Sequence, residues 1–158
     1  MNDEKIINSI RDKLQTKILD LTNPAPRRIY LKVNPKDLLD TIRYLRDTFN
    51  FTHLATISGL DKGDNFEILY HFANEFTVLT VRILTPRLDP KIPSICEVIP
   101  GAILYERELL DMFGIIVENI PDPRSLLLPD GWPQGIYPLR KDWKYERPPE
   151  IIPDKGNK

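Results

Sequence analysis

Proline decides how this chain can be divided. Of its 15 prolines, eight fall within the last 41 residues, Glu118 to Lys158. Proline lacks a backbone donor and holds φ at about −65°, so a segment that meets one every few residues supports neither a long helix nor a regular strand ladder. The stretch "NIPDPRSLLLPDGWPQGIYPLRKDWKYERPPEIIPDKGNK" is such a segment. It nevertheless carries Leu126, Leu127, Leu128, Trp132, Ile136, Tyr137, Leu139 and Trp143. Apolar anchors along a stiffened chain read as a strap that lies in a groove, unlike the composition of a disordered tail. The predicted division is a compact domain over 1–117 and an extended partner-binding tail over 118–158.

The compact part is periodic. Ile6, Ile7, Ile10 and Leu14 recur at helical spacing within residues 3–15. "RRIYLKV" (27–33) places Ile29, Leu31 and Val33 on one face of a strand. "NPKDLLDTIRYLRDTF" opens a second helix, with Asn34 as cap, Pro35 in the first turn and Asp37 at the positive end. "FTHLATI" (51–57) is rich in strand formers, and "SGLDKGDN" has turn chemistry. "FEILYHF" (66–72) and "FTVLTVRIL" (76–84) alternate and are joined by so short a link that they must pair antiparallel. A crossover constrained by Pro86, Pro90, Pro93 and Pro100 leads to a helix over Ile103 to Phe113, which Gly114 ends. The order α-β-α-β-β-β-α predicts an α+β fold: a small mixed or antiparallel sheet with helices packed on it.

Composition excludes several functions. A net charge of −1 creates no global field for nucleic acid or an anionic membrane. The N-terminal "MNDEKIINSIRDKL" lacks a signal-peptide core, and no run reaches the roughly 18 apolar residues of a membrane span. The expectation is a cytosolic protein that reaches a membrane only through partners. Cys96, His53 and His71 are scattered, without metal-ligand spacing, and both histidines fall in strands. The seven glycines form no phosphate-cradling loop, and no serine sits in a nucleophile elbow. Cys96 reads as a free, buried or half-buried thiol.

One stretch concentrates charge: "YERELLDMFGI", Tyr105 to Ile115. At about 100° per residue, Arg107, Glu108 and Asp111 share one arc of a helix, opposite Tyr105, Leu109, Met112 and Phe113. Arg107 and Asp111 stand at i, i+4 and can pair. Glu106 projects between Leu110 and Phe113, where a carboxylate needs a partner or its pKa rises. Arg124 or Arg140 from the tail could supply one, as could another protein. Spacing leaves three readings: an acid–base site on Glu106 and Glu108, a docking constellation, or a solvated face. Adjacent-but-one helical residues diverge, and no substrate-binding signature accompanies them, which weighs against the first.

"YERELLDMFGI" followed by "PDPRSLLLPDGWPQGIYPLRKDW" resembles the signature of the 30-kDa subunit of respiratory complex I, an NADH-quinone oxidoreductase. That family includes the equivalent subunits of membrane-bound nickel–iron hydrogenases and related archaeal complexes. Its E-R-E, two residues, an acid and two apolar residues match Glu106, Arg107, Glu108, Asp111, Met112 and Phe113. Its P-L-R-K-D matches Pro138, Leu139, Arg140, Lys141 and Asp142, and "PSICEVIPGA" (Pro93 to Ala102) resembles its entry into the helix. Ile120 departs from the family, which commonly has a histidine or lysine there.

The resemblance implies a non-catalytic peripheral-arm scaffold subunit of an ion-translocating membrane oxidoreductase complex. It implies no cofactor or metal bound by this chain. A nickel–iron centre and iron–sulfur clusters are expected in its partners, a large hydrogenase-like subunit and a small iron–sulfur subunit, with membrane-arm subunits met only indirectly. The place implied is the cytoplasmic face of the cell membrane. Glu106, Arg107, Glu108, Asp111, Phe113, Arg124, Trp132, Pro138, Leu139, Arg140, Lys141, Asp142 and Trp143 are the docking residues it suggests. "LLLPDGWPQGIYPLRKDW" is similar to the archaeal hydrogenase branch, so a ferredoxin-dependent membrane-bound hydrogenase leads. A sulfur-reducing complex or an NADH/quinone complex I is the alternative, and a stand-alone acid–base enzyme or self-associating module is the rival from another class.

Overall fold

The computed structural model describes residues 2–144. The predicted tail beyond Lys144 lies outside the described residues. Three helices are described, α1 (Asp3–Leu14), α2 (Leu38–Phe49) and α3 (Ile103–Phe113). The strands are β1 (Ile18–Ala25), β2 (Arg28–Val33), β3 (His53–Asp61), β4 (Asn65–Ala73), β5 (Val78–Pro86), β6 (Lys91–Pro93) and β7 (Ile116–Glu118). Strands β1 to β5 form one sheet in the order β1-β2-β5-β4-β3. Its β2–β5 pair is parallel and its other pairs are antiparallel, so the fold is the expected α+β with a mixed sheet.

Alternation explains the core. Ile29, Leu31, Val33, Phe66, Ile68, Tyr70, Phe72, Leu79, Val81 and Ile83 are all buried. Because successive strand residues point to opposite faces, these occupy one face of β2, β4 and β5. The apolar stripes of the helices are buried with them: Ile6, Ile10 and Leu14 from α1, and Leu38, Ile42, Leu45 and Phe49 from α2. Burial of this kind stabilises by about 25 cal/mol per Å² of apolar surface. Asn50 ends α2 in the left-handed region at φ 58°, its amide donating to Arg46 O.

Three local expectations give way. Strand β1 has no counterpart among the predicted elements, because as an edge strand with register shifts and little burial it shows no alternation. Strand β3 runs through Asp61, beyond the predicted Ile57. Ser58 and Gly59 read as a turn but lie in the strand, since a Cβ on Gly59 would stand 2.6 Å from the Phe113 ring, and glycine lets that ring pack close. Asn34 makes no side-chain cap, because the chain enters α2 through a 3-10 turn, Pro35–Asp37. The proline-rich crossover also contains β6, which pairs in parallel with β7 immediately after α3. That pairing ties together the two chain segments that flank α3.

Candidate docking site on helix α3 and its wrap

Helix α3 begins after a 3-10 turn, Pro100–Ala102, and buries Leu109 and Phe113. The Phe113 ring meets Phe66 edge-on, with centroids 5.8 Å apart. Gly114 closes the helix at φ 66°, its amide donating to Leu110 O at 3.0 Å.

Glu106 is fully buried, and its partner is no cation. Its Oε2 accepts from Ser94 Oγ at 2.7 Å and Cys96 Sγ at 3.2 Å, and its Oε1 accepts from the Ile95 amide at 2.7 Å. This corrects the expectation of Arg124 or Arg140. Three consecutive residues of the turn ahead of the helix supply donors locally, so no long side chain is needed. Burial raises the carboxyl above its ordinary range, against the opposing effect of those three donors. Burial also pushes the Cys96 thiol up to about 11, which suppresses the nucleophilic thiolate. With both oxygens occupied and no exposure, Glu106 does not reach a substrate arriving from solvent.

Arg107 and Asp111 do not pair with each other. Arg107 donates through Nε to Arg124 O at 2.7 Å and through a terminal nitrogen to Ser125 O at 2.8 Å, and it sits 3.4 Å from Asp122. Asp111 Oδ2 accepts from the amides of Leu126 at 2.8 Å, Leu127 at 2.7 Å and Leu128 at 3.2 Å, and from Ser125 Oγ at 3.0 Å. A folded-back main chain offers carbonyls to a planar guanidinium fork and amides to a carboxylate, and both i, i+4 residues are drawn to it. Burial pushes Asp111 up, but the Leu127, Leu126 and Leu128 amides and the Ser125 hydroxyl outweigh it and hold the carboxyl below its usual range. Arg124, 81% exposed, pairs with Asp122 at 2.7 Å.

A second clasp holds residues 137–142. Leu139 donates its amide to Met112 O at 3.0 Å, and Arg140 Nε donates to Phe113 O at 2.7 Å. The segment thus caps two last-turn carbonyls of α3 and sets a cation at the helix's negative end. The Tyr137 ring lies on Gly114, where a Cβ would stand 2.3 Å from it. The Arg140 guanidinium stacks 4.3 Å over Tyr137 and 5.2 Å over Phe66, and Arg87 lies 5.2 Å from the Phe66 centroid. Lys141 gives its amide to Asp61 Oδ2 at 2.9 Å. Arg87 bridges Asp61 at 2.5 Å and Asp142 at 2.7 Å. Burial raises the Asp61 carboxyl, but Arg87 and the amides of Lys141 and Gly63 bring it down to about 2.

Between the clasps the chain bulges. Trp132 Nε1 donates to Ile136 O at 2.9 Å, and the Trp132 amide to Pro129 O at 3.1 Å. Leu126, Leu127, Ile136 and Leu139 remain exposed. The Trp143 amide donates to Arg140 O at 3.1 Å, and Trp132, Pro138 and Trp143 are half-buried. Glu108 is half-buried, and Ile120 packs against the core.

Helical spacing singles out this segment but mispairs Arg107 with Asp111. Glu106, Arg107, Asp111, Phe113, Arg140 and Asp142 make contacts within the chain. Asp61, Arg87, Ser125 and the second role of Gly114 were missed. Asp61 sits in a turn-like "LDKG", and no local pattern marks a residue whose partner is 80 positions away. Among the described residues, no cluster of His, Cys, Asp and Glu could hold a metal ion, and no helix is long and apolar enough to cross a membrane.

Residues 31–149 match the family described as respiratory-chain NADH dehydrogenase, 30 Kd subunit. The C subunit of NADH-quinone oxidoreductase from Chloroherpeton thalassium is 35% identical over 144 residues, 87% of this chain and 59% of that relative. The chain thus spans little more than half of that protein. The C subunit of F(420)H(2) dehydrogenase from Methanosarcina mazei is 34% identical, with 91% of this chain and 93% of the relative covered. The membrane-bound hydrogenase subunit beta of Pyrococcus furiosus is 27% identical, with 98% and 92% covered. Among solved structures, a chain of the membrane-bound sulfane sulfur reductase, an archaeal respiratory membrane complex, is similar with a TM-score of 0.79. That likeness has 25% identity and covers 89% of this chain and 85% of the other. Both the α3 motif and the second clasp lie inside the matched span, and this chain belongs to the family of the 30-kDa subunit of respiratory-chain NADH dehydrogenase.

Proposed function

We propose that this chain is a scaffold subunit in the peripheral arm of a complex I-like, ion-translocating membrane oxidoreductase and performs no catalysis itself. The carrying observation is the double clasp, in which Arg107 and Asp111 fold the proline-rich segment back onto α3. The charges that resembled an acid–base site thereby shape a surface. The segment's backbone groups turn inward while Leu126, Leu127, Ile136 and Leu139 stay outside, as at the apolar core of an interface.

In this reading the partners are a large nickel–iron hydrogenase-like subunit and a small iron–sulfur subunit, which hold the metal centres. The chain meets the cytoplasmic face of the membrane through them. The "LLLPDGWPQGIYPLRKDW" link favours a ferredoxin-dependent membrane-bound hydrogenase, and the Pyrococcus relative is consistent with it. The fold likeness to the sulfane sulfur reductase chain supports a second reading, the same subunit in a sulfur-reducing complex.

The test is purification of the tagged chain from detergent-solubilised membranes of its own host. A co-purifying large subunit with nickel ligands, and hydrogen evolution by the complex, is the expected result. A large subunit without nickel ligands and with sulfur-reducing activity selects the second reading. Recovery of the chain alone from the soluble fraction refutes both.

A further inference from the structure

A shallow hollow of about 370 Å³ opens where the second clasp meets edge strand β3. Gly59 and Phe113 form its floor, Leu60 and Leu139 its walls, and Lys62 and Lys141 its rim. Leu60 is 44% exposed and Leu139 51% exposed, so two large aliphatic side chains line the hollow with about half their surface open. The two come from opposite halves of the chain, and the clasp alone sets their separation. The hollow exists only while the wrap is closed.

Its charge is lopsided. Asp61, the acid in the lining, is turned inward and neutralised by Arg87. Glu67 holds Arg82 on Oε1 at 2.5 Å and Lys62 on Oε2 at 3.5 Å, so the Lys62 ammonium already has a carboxylate partner within this chain. Lys141 uses its amide in the clasp, and its exposed ammonium has no carboxylate partner among the described residues. The hollow therefore presents an apolar floor under one cation, Lys141, that lacks a carboxylate among the described residues.

We propose that this hollow receives an extended segment of a neighbouring subunit, one apolar side chain seated between Leu60 and Leu139 and a carboxylate within two residues of it facing Lys141. The proposal rests on the scaffold reading above and names its contact. The volume lies at the low end for ligand sites, enough for an anchor side chain rather than a cofactor. The Lys141 amide in the lining is already given to Asp61, which turns the assignment away from a phosphate cradle. A buried apolar anchor supplies the affinity in such contacts, while rim charges steer the approach and select the partner.

The test uses the assembled complex. Leu60 is replaced by photoreactive benzoyl-phenylalanine, membranes are irradiated, and the cross-linked peptide is sequenced by mass spectrometry. The expected product joins position 60 to a peptide of another subunit, with an apolar residue and an Asp or Glu within two positions of it. In parallel, Leu60→Asp and Lys141→Glu each lower the partner recovered per tagged chain by at least about tenfold. The Lys141 effect should shrink in high salt. A cross-link only to this chain, to no protein or to a segment without an acid overturns the proposal, as does full recovery with both variants. The cross-link, made in an otherwise native chain, decides the matter if a charge variant fails to accumulate. Wild-type chain that brings down no oxidoreductase subunit sinks the scaffold reading and this contact together. Wild-type recovery without the cross-link sinks this contact alone.

Discussion

Replacing Asp111 should open the first clasp and leave the domain folded. Its Oδ2 accepts three amides and a hydroxyl, all from residues 125–128. Hydrogen bonds to a charged group contribute about 1.5–3 kcal/mol each, and those between neutral groups about 0.5–1.5 kcal/mol. Four donors converging on one oxygen are not additive, so the set is bounded at about 3 kcal/mol. Asp111→Asn keeps the shape and an acceptor but loses the charge, and should cost about 1–2 kcal/mol of closure. Asp111→Ala should cost the full amount, because water then competes for all three amides. Native-state hydrogen exchange reads this directly, since each step of about 1.4 kcal/mol changes the opening constant about tenfold. The Leu126–Leu128 amides should exchange roughly 10-fold faster in Asp111→Asn and about 100-fold faster in Asp111→Ala. Amides of β4 and β5 should be unchanged. Unaltered exchange at 126–128 in Asp111→Ala would refute the clasp, and an equal loss across β4 and β5 would show that Asp111 holds the whole domain.

Both tryptophans lie in the wrap, so their fluorescence reports its closure separately from the far-ultraviolet dichroism of the domain. Asp61 and Asp111 are depressed below their unfolded values, so the closure they support is complete above the ordinary carboxylate range, about pH 4. That closure should fade as pH falls toward about 2, the folded value of Asp61, and a tryptophan signal lost instead near neutral pH would contradict it. Gly114→Ala places a methyl against the Tyr137 ring at a left-handed φ of 66°. It should cost at least about 1–2 kcal/mol, read as a melting temperature several degrees lower. Arg107→Ala frees two carbonyls and Asp122, and should lower recovery of the complex by about 1–3 kcal/mol in apparent affinity, measured by titration with the purified partner. Glu106→Gln sets an amide donor against one of three donors that now point at a carboxylate, and should destabilise the domain by about 1–3 kcal/mol in urea unfolding.

The layers are legible in the residues alone. Alternating Phe66, Ile68, Tyr70 and Phe72 set which face of β4 is buried, and the stripes of α1 and α2 set what covers it. These signals are local and repeat every two or 3.6 residues, so a single chain displays them without reference to any other segment. Gly114 marks the end of α3 for the same reason. Edge strand β1 escapes because its half-buried residues, Ile18, Leu21 and Ala25, do not alternate.

Pairing is another matter, and packing chose the partners. Helical spacing allows Arg107 to meet Asp111, yet the returning chain offers each a better match, carbonyls for one and amides for the other. Spacing requires a partner for Glu106, and only the fold brings the turn at Ser94–Cys96 to fill that need. Asp61 meets the Lys141 amide across 80 positions, a contact with no local signature. Each side chain carries its own requirement for charge, donors or apolar cover. Which atoms meet that requirement depends on how distant segments return, and that is a property of the whole packed chain.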